Sequence, residues 1–193
     1  MINCRFKYAL LPSLPLLTLL LSACLESTQS TYEYDQISYQ YKSEVNEEQQ
    51  PAFNEAFREW ESAVGIEFVE FVEGENATIQ ISIGELPEGF LGMARYVFDS
   101  EPILDRYESV ESLRTAWITL SPALWEMDAG VQKIFIIHEL GHIFTKSPHS
   151  DPCPSTMHAQ PINCGTTYVD PASAEIASKN IDDGWLDRQK NVN

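Results

Sequence analysis

Apolar positions recur along this chain in two rhythms, and the switches between them outline its elements. Residues 32–41 carry aromatic side chains and Ile37 in rough alternation with polar ones, which predicts a first strand. A charged stretch, 44–50, then leads into Phe53, Phe57, Trp60 and Val64. That spacing is helical, with Pro51 suited to the first turn and Gly65 to the end. The aromatic stripe reads as core packing and not as a ligand box. Residues 66–72 alternate apolar with acidic, Glu67 and Glu70 facing out, and residues 77–83 set Ile79, Ile81 and Ile83 on one face. Both predict strands. After the turn-rich stretch 87–92, residues 93–98 predict a strand near a sheet edge. Residues 99–114 are polar and predict a long loop or irregular insertion. Residues 117–120 are short and apolar, and Ser121-Pro122 breaks them. A helix is predicted from Asp128 through Phe144, then loop over 153–169. Asp170-Pro171 suits the N-cap and first turn of a last helix, to about Lys179. No repeats occur. Helices separated by several strands place the chain in the α/β (α+β) class.

Length and charge narrow this further. The 193 residues suit one ordinary domain, and 44% hydrophobic content supplies a real core. The formal charge of −17 argues against nucleic acid, which demands clustered Lys and Arg. Solubility alone accounts for such acidity.

The first residues read as a targeting segment. Arg5 and Lys7 precede an apolar stretch, 8–21, interrupted by Pro12 and Pro15, too short and broken for a comfortable membrane span. It ends in Leu21-Ser22-Ala23-Cys24, which resembles the lipobox of bacterial lipoproteins. The resemblance implies cleavage before Cys24 and lipid on its sulfur. It divides the chain into a signal peptide (1–23), a tether (24–31) and a domain (32–193), lipid-anchored in the cell envelope and by expectation on a bacterial outer membrane. Cys4 leaves with the leader and Cys24 is acylated, so only Cys153 and Cys164 remain. Export makes a disulfide between them the expectation.

The chemistry lies in His138-Glu139-Leu140-Gly141-His142. Two histidines four apart on a helix share a face and stand one turn apart, close enough to hold one metal. Their flanks, Ile134 to Ile137 with Ile143 and Phe144, are apolar nearly all round, so the helix is expected to be buried and its histidines to need a partner. Neutral imidazole suits zinc, which takes one more protein ligand and a water in a catalytic site. Glu139, beside the first ligand, is the candidate catalytic residue. His149, seven positions after His142, is the favoured third ligand; resemblance to metzincin and gluzincin metalloproteases implies Asp151 and Glu175, respectively, as alternatives.

The run from His138 to His149, followed by Ser155-Thr156-Met157, resembles the metzincin metalloproteases and their matrixin members. It departs from their pattern twice: Thr145 stands at the glycine position, and His149 comes one residue late. The resemblance implies a single metzincin-like domain with a twisted mixed sheet, an active-site helix and a C-terminal helix. It makes Met157 the apolar floor beneath a catalytic zinc, and it makes Gly92, Met93, Ala94, Arg95 and Tyr96 the edge strand that pairs with an extended peptide or protein substrate. Residues 158–168 would wall the pocket beyond the cut. Matrixins also bind calcium, and the acidic residues 99–105 could serve it, although no loop shows a recognisable ligand pattern. The expectation is a monomeric zinc endopeptidase with Glu139 as general base. The rival reading is a non-catalytic zinc-binding envelope lipoprotein.

Overall fold

Ile37 and Tyr39 alternate with Gln36, Ser38 and Gln40, and only the apolar set is buried. The same rule organises the whole sheet, because a strand sends successive side chains to opposite faces. In the computed structural model, residues 35–71, 77–102, 109–151 and 153–184 are described, and these all belong to one compact unit. The predicted signal peptide, the lipobox Cys24 and the tether lie outside the described residues.

Five strands form one mixed sheet: β1 (Asp35–Tyr41), β2 (Ile66–Glu70), β3 (Ile79–Ile83), β4 (Gly92–Pro102) and β5 (Ser109–Leu120). Their order is β2-β1-β3-β5-β4. β1 runs parallel to β2 and β3, β3 runs parallel to β5, and β4 is antiparallel to β5 at an edge. The class is α/β in a single domain, as the rhythms predict.

One expectation fails here. Residues 99–114, read as a loop, largely extend β4 and β5 into a long hairpin, whose register pairs Asp99 with Ser112 and Pro102 with Ser109. Backbone pairing between antiparallel neighbours needs no apolar alternation, so a polar stretch carries no warning of it. A register shift at Val97/Phe98 marks a bulge in this hairpin. The acidic residues 99–105, considered for calcium, fall where no side chains are described.

Among the described residues there are three α-helices, of which the first two pack against the sheet and the third against those two. α1 (Gln50–Val64) has Pro51 in its first turn and ends at Gly65, whose φ of 72° lies in the left-handed region. α2 (Ala129–Thr145) starts where the Asp128 side chain accepts from the Val131 N–H, and α3 (Pro171–Asp182) starts at Asp170. Between helices and sheet lies the core. Ile37, Ile79, Ile81, Ile118 and Leu120 come from the strands, Phe53, Phe57 and Trp60 from α1, and Ile136, Leu140, Ile143 and Phe144 from α2. Trp60 is fully buried, and its indole N–H donates to the Ile137 carbonyl at 3.0 Å, one residue before the first candidate ligand. Among the described residues no helix is long and apolar enough to cross a membrane.

Candidate metal centre

α2 is buried from Ile136 through Gly141, which fixes where His138, Glu139 and His142 stand. Each of the two helical imidazoles is oriented by a backbone carbonyl. His138 Nδ1 lies 2.7 Å from the Thr156 oxygen, and His142 Nδ1 lies 3.0 Å from the Ser147 oxygen. A carbonyl only accepts, so each Nδ1 carries the proton and each Nε2 carries a lone pair. Those lone pairs converge with a third nitrogen. His149 Nε2 is 3.2 Å from His138 Nε2 and 3.3 Å from His142 Nε2. His149 has at most one proton at that atom, so it cannot satisfy both partners as a donor. A cation satisfies all three at once. A tetrahedron with zinc–nitrogen arms of 2.0–2.1 Å separates its ligands by about 3.3 Å, which these spacings match. His138, His142 and His149 form a group that could hold a metal ion.

Burial depresses the His138 imidazole to about 4, against the opposing pull of the Thr156 carbonyl, and depresses His142 in the same direction. Both imidazoles are therefore neutral near neutral pH. Burial pushes the Glu139 carboxyl up to about 8, although an N–H from Ala94 works the other way. The Glu139 carboxyl lies against β4, where a side chain at Gly92 would collide with it. Gly92 and Ala94 of the edge strand thus lie beside the Glu139 carboxyl.

The turn after α2 reverses the chain without a glycine. Thr145 stays helical, and Lys146 takes the left-handed conformation with φ of 53°. Thr145 Oγ1 donates to the Gly141 carbonyl at 2.8 Å and accepts from the Ser147 N–H at 3.2 Å, which stabilises the end of the helix. Asn180 of α3 donates to the Phe144 carbonyl at 2.9 Å. The left-handed residue at Lys146 and the bonds around it thus carry the chain from α2 back to His149.

Met157 is buried, and its sulfur occupies the space a side chain at Gly141 would need. The methionine thus packs against the bare α-carbon of Gly141 on α2. Ser150 ties the chain after His149 back to this turn, its N–H donating to the Met157 carbonyl at 2.8 Å. Cys153 and Cys164 are joined as a disulfide across a separation of 11 residues, enclosing the same turn. These two sulfurs and His158 also lie close enough to share an ion, but the bond between the sulfurs leaves no thiolate to donate.

Asp151 and Glu175, the alternative third ligands, are exposed, and neither joins a donor group among the described residues. Tyr168 is exposed and contributes its carbonyl to Thr156 Oγ1, while His158 accepts from the Gln160 N–H. Four contributors escape a reading of the sequence: the Thr156 and Ser147 carbonyls, the conformation of Lys146 and the indole of Trp60. Backbone acceptors have no residue signature, and Trp60 was legible only as core.

No protein-family model matches the chain, and no curated protein matches it.

Proposed function

We propose that this chain is a zinc-dependent endopeptidase of the metzincin kind. The convergence of three Nε2 lone pairs, spaced as a tetrahedral ion requires, supports the metal half of the reading. The donor set is all imidazole, which favours zinc over the oxygen-seeking calcium and magnesium. A zinc ion held by His138, His142 and His149 supplies Lewis acidity toward a carbonyl and acidifies water. The chain's own residues do the rest. β4, at the edge of the sheet, offers main-chain groups to an extended peptide. A bound cation would favour the ionised form of Glu139, which accepts a proton from the attacking water and delivers it to the leaving amine as the peptide C–N bond breaks. The thioether of Met157 packs below without binding. Residues 158–168, partly enclosed by the disulfide, would wall the pocket beyond the cut. The lipobox at Leu21 to Cys24 supports delivery of this activity to the cell envelope on a lipid anchor.

The decisive comparison is Glu139→Gln against wild type, with zinc content measured beside hydrolysis of a quenched peptide. We expect one zinc per chain in both proteins and a fall of about 10²–10⁴-fold in kcat for the variant. Equal hydrolysis by both would remove Glu139 from the mechanism. Zinc in both without hydrolysis in either would leave a non-catalytic zinc-binding lipoprotein.

A further inference from the structure

Asp170 is an N-cap by sequence, yet its carboxylate serves more than its helix. One oxygen, Oδ1, accepts from the Ala172 and Ser173 N–H groups at 3.0 and 3.1 Å, which is ordinary capping. The other, Oδ2, accepts from the Thr156 N–H at 2.7 Å and from Ser173 Oγ at 2.6 Å. Thr156 Oγ1 in turn accepts from the Asp170 N–H at 3.0 Å, so the two residues grip each other in both directions. Both are nearly inaccessible, at 4% and 2% exposure. Thr156 presents its carbonyl to His138 Nδ1 at 2.7 Å. A continuous path of short bonds therefore joins the start of α3 to the first candidate ligand: Asp170, Thr156, His138.

From this path we infer that Asp170 is a positioning residue for the metal centre, holding the Thr156 carbonyl that fixes the tautomer and ring orientation of His138. The inference rests on the metal reading above. The physical reason is directional. A His ligand binds well only when its other nitrogen is held by an acceptor, and an acceptor on a loop is only as fixed as its own support. Thr156 lies in a segment with little regular structure, between Ser155 and Met157, and the Asp170 carboxylate is a charged acceptor for its N–H. The same carboxylate thereby couples the start of α3 to the affinity of a site on α2.

Asp170→Asn isolates the effect. The amide oxygen can still cap α3, while its NH2 faces the Thr156 N–H, so that bond is lost, and the Ser173 hydroxyl can turn to accept from the NH2. Ser173→Ala removes a different bond to the same oxygen and is the milder companion. Asp128→Ala is the control, because it uncaps the metal-bearing helix ten residues from His138 without touching Thr156. Each full-length protein is stripped of metal and titrated with zinc against a chelator, then loaded with cobalt(II) for its visible spectrum. Thermal melting of the metal-free forms reports stability separately.

We expect Asp170→Asn to weaken zinc binding by about 10–100-fold and to shift the cobalt bands. Ser173→Ala should weaken it by less, and Asp128→Ala should lower the melting temperature while leaving affinity within twofold. Zinc affinity of Asp170→Asn within twofold of wild type overturns the inference and leaves the metal reading intact. Parallel losses in Asp128→Ala also overturn it, by showing that stability alone governs affinity. Absence of stoichiometric zinc from wild type overturns the metal reading and the inference together. Should Asp170→Asn fail to fold, Ser173→Ala decides: unchanged affinity and cobalt spectrum reject the inference.

Discussion

The helix-and-sheet scaffold and the segment 146–170 sit side by side and are held by different forces. The scaffold buries aliphatic and aromatic side chains from every layer: Ile79 and Ile118 from the sheet, Phe53 and Trp60 from α1, Leu140 and Phe144 from α2. That attraction is non-directional and grows with area. The segment buries few apolar groups, chiefly Met157 and Val169, beside Ser155, Thr156, Thr166 and Asp170. Its shape comes from the Ser150–Met157 and Thr156–Asp170 hydrogen bonds and from one disulfide. Two candidate ligands, His138 and His142, belong to the scaffold, and His149 belongs to the segment. The difference teaches where damage should appear. Scaffold lesions should cost global stability, whereas segment lesions should cost metal affinity first.

The largest effect should come from Trp60→Ala. It removes a fully buried indole that touches Phe144 and bonds the Ile137 carbonyl, at a cost of about 3–5 kcal/mol. Urea unfolding checks it. A variant that loses zinc yet keeps its unfolding midpoint would break the proposed division. Next comes the paired change Cys153→Ser with Cys164→Ser. Releasing a loop of this length should cost about 2–3 kcal/mol on the chain-entropy account. Zinc should bind more weakly while far-ultraviolet dichroism stays unchanged, because the scaffold does not depend on the bridge.

Lys146→Gly should act in the opposite direction. Its left-handed backbone strains a side chain but not glycine, so the variant should gain about 0.5–1 kcal/mol in the same unfolding assay. A loss would mean that the lysine side chain stabilises the turn by more than its backbone strains it. The smallest effect is a pH dependence. Burial alone would raise the Asp170 carboxyl, but donors from Ser173 and Thr156 hold it below its ordinary 3.8. The folded state therefore binds that proton less readily than the unfolded one. Its stabilisation is complete above the ordinary value and is lost as pH falls through the lowered one. Stability of wild type should thus fall more steeply than that of Asp170→Asn below about pH 4. Parallel curves would show that the carboxylate contributes nothing by its charge.

Much of this was legible along the chain because its causes are local. The i, i+4 pairing of His138 and His142, the stop at Gly65 and the start at Asp170-Pro171 each act within about one helical turn. The Cys153–Cys164 bridge followed from counting, since the export reading removed every other cysteine. Hydrophobic rhythm likewise placed the strand faces that bury Ile79 and Ile81.

Tertiary structure alone decided the rest. His149, Asp151 and Glu175 were all eligible as the third donor, and only the path of the turn through Lys146 brings His149 to the other two. The long β4–β5 hairpin escaped notice because its bonds join backbones, which leave no residue pattern. The link from Asp170 to His138 runs through main-chain atoms of Thr156, again without a signature in residue type. Periodicity and caps encode which way a side chain faces on its own element. Which groups from distant elements finally meet depends on how those elements pack, and that is a property of the whole fold.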